Sequence, residues 1–261
     1  MMDKISIWQQ NVNKSPSCQH NLFSNNHITN LGADIIVLQE PTINTFNLTI
    51  ASRDWIPIYP SLHGTSPNRT RAITFVRTNI STDNWTQLDF PSNDISVIQF
   101  SGTWGKLTIF NIYNNGNNSN TLKLLTNFHN RNQNTLEHVN AGTAHIIWLG
   151  DFNCHHPLWD NPNDTRLFTN EALSEAEDLI EALADLGLDL ALPNGIPTHQ
   201  HNMTKKWSRL DQVFLSDHSK HILTSCDTCI DQQGILTDHL PIVTELNLHL
   251  IPTTSKLIAN F

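Results

Sequence analysis

The chain has 261 residues, 38% of them hydrophobic and 15% charged, and a formal net charge of −9. That length and balance fit one large domain or two small ones around a buried core and argue against a largely disordered chain. The acidic excess argues against a broad basic surface gripping nucleic acid by counterion release, so a polyanion must be held locally; the four scattered cysteines and the absence of any apolar run near 18 residues argue against a disulfide scaffold and a membrane span, and for a reducing, intracellular setting.

Residues 4 to 13, KISIWQQNVN, begin apolar and β-branched and break into amides, and residues 34 to 41, DIIVLQEP, repeat the design. Both are predicted as buried strands. Between them, Leu22, Phe23, His27, Ile28 and Leu31 fall at helical spacing over residues 17 to 31, with Ser17 as N-cap and Gly32 just past the end. Further strands are predicted at 72 to 77, 94 to 100, 106 to 113 and 145 to 149, separated by stretches rich in Gly, Pro, Asn and Asp. A helix is expected within 119 to 140 and a clearer one over 170 to 186, where Leu173, Ala176, Leu179, Ile180 and Leu183 share a face and Gly187 ends it. Strands at 210 to 215 and 241 to 248 complete the pattern. Strands outnumber helices and occur both in runs and around helices, which predicts an α/β fold of two face-to-face sheets with helices outside. With no internal linker, residues 1 to 250 read as one domain and residues 251 to 261 as a tail or stub.

Several predicted strands end on polar groups. Asn11, Glu40, Tyr113 and the pair Asp151 and Asn153 each close one; Asp211 opens a late strand, and Asp238-His239 precedes the last. Strand ends of layered sheets can converge on one rim, where loops stay open to ligand. Each residue alone also has an ordinary reading as a turn or strand residue. Together, the carboxylates Glu40, Asp151 and Asp238 with their amides form a hard oxygen set suited to Mg²⁺ or Mn²⁺ more than to zinc. A protonated His239 could stabilise charge on a phosphorane if an acid held its other nitrogen, and Asp211 is the candidate. In "IIWLGDFN", Gly150 is expected to let the backbone turn and deliver Asp151 and Asn153 to the rim.

The ordered segments "QQNVN", "VLQEP", "NIYN", "WLGDFN", "SRLDQVFLS" and "LTDHLPIV" resemble the endonuclease/exonuclease/phosphatase superfamily, the metal-dependent phosphodiesterases that include DNase I and the apurinic endonucleases. The resemblance spans nearly the whole chain and is closest to the endonuclease domains of non-LTR, LINE-type retrotransposons, through "WQQNVNKS", "GDFNCHHPLWD" and the stretch from "LADLGLDLALPNGIPTH" to "SRLDQVFLS". It implies a DNase I-like four-layer α/β sandwich, two packed mixed sheets flanked by helices. It further implies Mg²⁺ or Mn²⁺ at Glu40 as main ligand, with Asn11 beside the ion and the scissile phosphate; Asp238, a further ligand on the reading of the carboxylates above, stands next to His239. Asp151 and Asn153 would hold the attacking water, Tyr113 the phosphate, and Asp211 would orient His239. Thr198 and Ser208 match positions near the DNA backbone. The implied activity is nicking of DNA to leave a 3′-hydroxyl, in the nucleus, by a monomer whose longer parent polypeptide carries a reverse transcriptase. A phosphatase or phosphodiesterase acting on RNA or a small ester, and an inactive relic, are the alternatives. Asn13 stands where apurinic endonucleases have a second acidic ligand, which disfavours abasic-site repair, and Thr237 replaces the commoner serine before Asp-His. The chain lacks the arginine and the Cys-Asp-Arg motif of the inositol-phosphatase branch.

Arg53, Arg69, Arg71, Lys205, Lys206 and Arg209 are the positive groups available for a phosphate backbone, with Lys205, Lys206 and Trp207 in a turn where LINE-type enzymes place a groove-entering hairpin. His218, His221, Cys226 and Cys229 imitate a zinc spacing, but the gap between the pairs is too short for the usual arrangements. His155 and His156 read as a loop beside the site, with metal ligation or a plain structural turn as the other readings.

Overall fold

Two six-stranded sheets face each other in the computed structural model, which describes residues 3–24, 32–116, 120–136 and 144–250. The proposed tail, and His27, Ile28 and Leu31 of the first predicted helix, lie outside the described residues.

In chain order the strands are β1 (Lys4–Asn11), β2 (Ile35–Gln39), β3 (Trp55–Ile58), β4 (Ala72–Arg77), β5 (Trp85–Leu88), β6 (Ile95–Gly102) and β7 (Gly105–Tyr113). They continue with β8 (Ala144–Asp151), β9 (Leu188–Leu190), β10 (His199–Gln200), β11 (Trp207–Ser208), β12 (Asp211–Ser216), β13 (Leu223–Thr228) and β14 (Ile242–Asn247). The helices are α1 (Pro16–Ser24), α2 (Asn120–Arg131), α3 (Gln133–Leu136) and α4 (Asn170–Leu186). One sheet runs β13-β14-β1-β2-β4-β3 and the other β5-β6-β7-β8-β12-β9, while β10 and β11 form a separate hairpin. Both sheets are mixed, with β1 parallel to β2 and β7 parallel to β8. These parallel pairs lie inside their sheets with both faces covered, which explains the nearly continuous apolar runs of β2 and β8.

Alternation along each strand builds the layers. Ile7, Val37 and Val76 from one sheet meet Ile109, Leu149 and Val213 from the other in a shared core. Their neighbours Trp8, Ile36 and Phe75 point outward to pack with Cys18 and Leu22 of α1. On the far side Phe110, Trp148 and Phe214 pack with Leu122 and Leu125 of α2 and Ala176 and Leu179 of α4. The order is helix, sheet, sheet, helix, the sandwich expected. A polar band also crosses between the sheets, from Gln9 Nε2 to the Gly150 carbonyl (3.1 Å), Gln39 Nε2 to Asn111 Oδ1 (2.7 Å) and Thr74 Oγ1 to Ser96 Oγ (2.7 Å). Each such bond contributes about 1 kcal/mol, and an unpaired partner would cost more, so the band fixes how one sheet sits on the other.

Helix α4 spans the expected residues, with Thr169 Oγ1 accepting from the Ala172 N–H and Gly187 closing it in the left-handed conformation. Three local expectations are corrected. The cap of α1 is Ser15, whose Oγ accepts from the Cys18 N–H, with Pro16 as first helical residue; Ser17 is already inside the helix. The segment 119 to 140 holds two helices separated at Asn132 in its described part. Strand β8 does not stop at Gly150 but continues to Asp151, and a Cβ at Gly150 would run into the Ile112 carbonyl of β7. Close approach of two strands, rather than a turn, demands the glycine. The unpredicted strands β3, β5, β9 and β13 are all edges; β5, β9 and β13 carry no apolar run, and β3, the short apolar stretch WIPI, is interrupted by Pro57, which an edge tolerates.

Candidate active site

Asn11 and Asp151 are the last residues of β1 and β8, and the packing of the two sheets brings Asn11 Nδ2 within 2.8 Å of Asp151 Oδ2. The other Asp151 oxygen accepts from the Asn153 N–H at 3.0 Å. Asn153 takes a left-handed backbone (φ 50°) and donates its side-chain amide to the Asn114 carbonyl, so the turn after β8 is tied down. Asp211 pairs with Asp151 across the antiparallel β8–β12 ladder, and Tyr113 pairs with it across the parallel β7–β8 ladder. Asp211 Oδ2 lies 2.8 Å from His239 Nδ1, and both side chains are buried. Gln10 Nε2 donates to the His239 carbonyl and Thr237 Oγ to that of Asn11, which seats the Thr237–His239 turn on β1.

Burial and neighbouring charge shift both the Asp151 carboxyl and the His239 imidazole. Burial, and then the charge of Asp211, push the Asp151 carboxyl well above the usual carboxylate range; His239, the Asn11 amide and the Asn153 N–H oppose the rise. Burial alone would lower the His239 pKa, but Asp211, Asp151 and Asp238 outweigh it and raise it to about 9. His239 is therefore an imidazolium at neutral pH, a donor for an anion. His199 holds the Asp238 carboxyl below its usual range.

Glu40 sits beyond β2 with a left-handed backbone (φ 48°), an uncommon state for a side-chain-bearing residue and one held by its neighbours. Its N–H donates to the Arg71 carbonyl and its own carbonyl accepts from the Lys14 N–H, both at 2.8 Å. Its carboxylate stays 17% exposed, with the exposed Lys14 ammonium 3.9 Å away and the Tyr113 phenol within hydrogen-bonding reach. Burial, followed by the charges of Glu40 and Asp151, raises the Tyr113 pKa, so the phenol keeps its proton and can donate.

Two groups of His and acid ligand atoms lie close enough to hold an ion among the described residues: Asp151, Asp211 and His239, and His199, Asp238 and His239. In the first His239 Nδ1 is paired with Asp211 Oδ2 at 2.8 Å, and in the second Asp238 Oδ2 also accepts from Asn202 Nδ2 at 2.9 Å. The Glu40 carboxylate, a hard ligand on a partly open rim, also suits a divalent cation such as Mg²⁺, while the Oδ1 of the buried Asn11 accepts from the Asn13 N–H at 2.8 Å. Asp238, expected among the ligands, stands between His199 Nε2 (3.5 Å), Asn202 and the exposed Asn13, whose amide is 3.4 Å away.

Two expected DNA contacts are corrected. Thr198 is fully buried, and its Oγ accepts from the N–H groups of Leu210 and Asp211, which makes it a support for β12. Arg209 is 1% exposed, and its guanidinium donates to the carbonyls of Trp159, Leu192 and Pro193; it is an internal tie between loops. Ser208 is half-buried, with Oγ 3.2 Å from His199 Nδ1. His199 went unnoticed in the sequence because nothing local marks it; its bridge to His239 joins the hairpin to the site. The 199–208 hairpin expected around Lys205 and Lys206 is formed, with Met203 89% exposed. Asp160 binds both His155 Nδ1 and the His156 N–H, so the loop that follows Asn153 is held internally. The apparent zinc spacing is taken apart: Cys226 is buried against Thr244, and His218 Nε2 lies 2.6 Å from the Ala144 carbonyl.

Residues 107–243, more than half the chain, match a family model described as endonuclease-reverse transcriptase. The chain belongs to that family. The matched span carries Tyr113, Asp151, Asn153, Asp211, Asp238 and His239, while Asn11 and Glu40 join them through the fold. Among curated proteins no sequence match is found. Solved structures are similar over nearly the full length. The endonuclease domain of TRAS1, a telomere-specific non-LTR retrotransposon, gives a TM-score of 0.69 at 17% identity, over 94% of this chain and 99% of that one. The AP endonuclease LMAP from Leishmania major gives 0.71 at 12%, over 94% and 88%. The 3′-5′ exonuclease NExo from Neisseria meningitidis gives 0.64 at 16%, over 93% and 100%. At such identities the likeness speaks for the fold, which is DNase I-like. Family and fold together make this member of the endonuclease-reverse transcriptase family a nuclease of the DNase I-like superfamily.

Proposed function

We propose that the protein is a divalent-metal-dependent DNA endonuclease that cuts one strand to leave a 3′-hydroxyl, the target-nicking module of a non-LTR retrotransposon acting in the nucleus. The observation that carries this reading is the buried Asp211–His239 ion pair set beside Asp151, itself held by Asn11 and Asn153. A Mg²⁺ or Mn²⁺ ion held by Glu40 and Asn11 would supply neutralising charge at the phosphate when bound. Asp151, with its raised proton affinity, takes the proton of the attacking water. The water oxygen bonds to phosphorus as the bond to the 3′-oxygen breaks, and that oxygen leaves as an alcohol with a proton from solvent. His239 donates to a non-bridging oxygen and stabilises the charge of the phosphorane, with Asp211 keeping the imidazolium charged and oriented. The Tyr113 phenol, kept neutral, offers a further donor to the phosphate. Exposed Lys205 and Lys206 on the hairpin, together with Arg69 and Asn13, supply local contacts to the backbone that a net charge of −9 could not supply globally. The family's description supports a reverse transcriptase in a longer parent chain.

The test is nicking of supercoiled plasmid with Mg²⁺. Open circles should form, EDTA should abolish them, and a polymerase should extend the nicks without phosphatase treatment, reporting a 3′-hydroxyl. Glu40→Ala and His239→Ala should each lose about a thousandfold in rate, equivalent to about 4 kcal/mol of transition-state stabilisation. Intact plasmid with wild type, or nicking by both variants at the wild-type rate, overturns the reading.

A further inference from the structure

Arg71 is the residue before β4 in one sheet, and Asp94 the residue before β6 in the other. Their side chains meet in a two-pronged ion pair, Arg71 Nε to Asp94 Oδ1 at 2.8 Å and Nη2 to Oδ2 at 2.7 Å. Arg71 Nη1 donates to Asn115 Oδ1 at 3.1 Å, and the guanidinium lies 4.5 Å from the centre of the Tyr113 ring. The same two residues hold the active-site backbone. The Arg71 carbonyl accepts from the Glu40 N–H and the Asp94 carbonyl from the Tyr113 N–H, each at 2.8 Å. Glu40 directly follows β2 of one sheet and Tyr113 ends β7 of the other, so one ion pair spans the gap between them.

A guanidinium that contacts DNA needs its fork free for phosphate oxygens. Here the fork is closed on Asp94, a third donor is engaged by Asn115, and one face lies on an aromatic ring. We propose that Arg71, expected from the sequence to grip the DNA backbone, is instead a positioning residue. Through Asp94 and the face of Tyr113 it fixes the phenol and the Glu40 carboxylate relative to each other. The inference rests on the nuclease reading for its catalytic consequence, and on the contacts above for its geometry. Displacement of a reacting group by about 1 Å can cost about a hundredfold in rate, so such a clamp matters without touching substrate.

The experiment compares Arg71→Met, Arg71→Lys and Asp94→Asn with wild type in two measurements. One is kcat and KM for plasmid nicking; the other is the salt dependence of duplex binding in EDTA, where no turnover is expected. A positioning role predicts that Arg71→Met and Asp94→Asn both lower kcat by about ten- to a hundredfold, leave KM within about twofold, and leave the salt slope unchanged. Arg71→Lys should not rescue, because one ammonium cannot bridge two carboxylate oxygens and also lie flat on a ring. A phosphate contact predicts a salt slope lowered by about 0.9 in Arg71→Met. It also predicts tighter binding with retained kcat in Asp94→Asn, which frees the arginine, and either result overturns the proposal. Should Arg71→Met fail to fold, Asp94→Asn, which keeps an acceptor, still decides. Should wild type not nick, the nuclease reading fails, while the salt slope still decides whether Arg71 grips DNA.

Discussion

His239 Nδ1 lies 2.8 Å from Asp211 Oδ2 in a buried pair, and the carboxylates around the ring raise its pKa to about 9 against 6.5 for an ordinary imidazole. The stabilisation from this charged pair is therefore complete below about 6.5 and is lost as pH rises through about 9. Nicking should decline over the same alkaline range. Asp211→Asn removes the partner, so the alkaline limb of the kcat/KM profile should move to lower pH; an unmoved limb would contradict the assigned donor.

Asp151 shows the opposite relation between stability and activity. Its raised proton affinity means that the ionised carboxylate opposes folding at neutral pH, because burial and Asp211 both disfavour the charge. Asp151→Asn keeps an oxygen for the Asn11 amide and removes the repulsion. Thermal unfolding at pH 7 should rise or stay level while nicking falls by about a thousandfold, a loss of about 4 kcal/mol in transition-state stabilisation.

His129 and His145 lie away from the site and are both kept neutral by burial, with pKa values lowered to about 4. His129 Nε2 accepts from the Trp148 indole at 3.3 Å, and His145 Nδ1 lies 2.7 Å from Ser219 Oγ. Their contribution to stability is present above the unfolded pKa of 6.5 and is lost as pH falls from there toward about 4. The loss should reach on the order of 2–3 kcal/mol per histidine. His129→Gln and His145→Gln should each shift acid unfolding, followed by circular dichroism, to lower pH.

Arg209 tests the correction made to its role. Arg209→Met fills the volume but leaves three backbone carbonyls without their donor. Denaturant unfolding should show a loss of about 3 kcal/mol. The salt dependence of DNA binding should not change, since the side chain does not reach the surface.

The sequence by itself determined the parts of the fold that local patterns encode. Alternation in KISIWQQN and AHIIWLGD marks strands because each face meets its own layer, and the Thr169-to-Gly187 span marks a helix because its caps and apolar face lie within one segment. It also placed Asn11, Glu40, Asp151 and His239 at strand ends or in the turns beside them, where a rim can collect them. Tertiary structure decided who meets whom. Asn11 and Asp151 are 140 residues apart, and only the packing of one sheet on the other makes them partners. Edge strands such as β5 and β13 escaped notice because half their surface faces solvent, so no apolar run betrays them. Arg71, Thr198 and Arg209 are polar residues whose type suggests a surface contact. Burial of Thr198 and Arg209, half-burial of Arg71, and backbone groups or a carboxylate contributed by distant segments made each an internal support, because a polar group taken from water must find its partner wherever the fold supplies one.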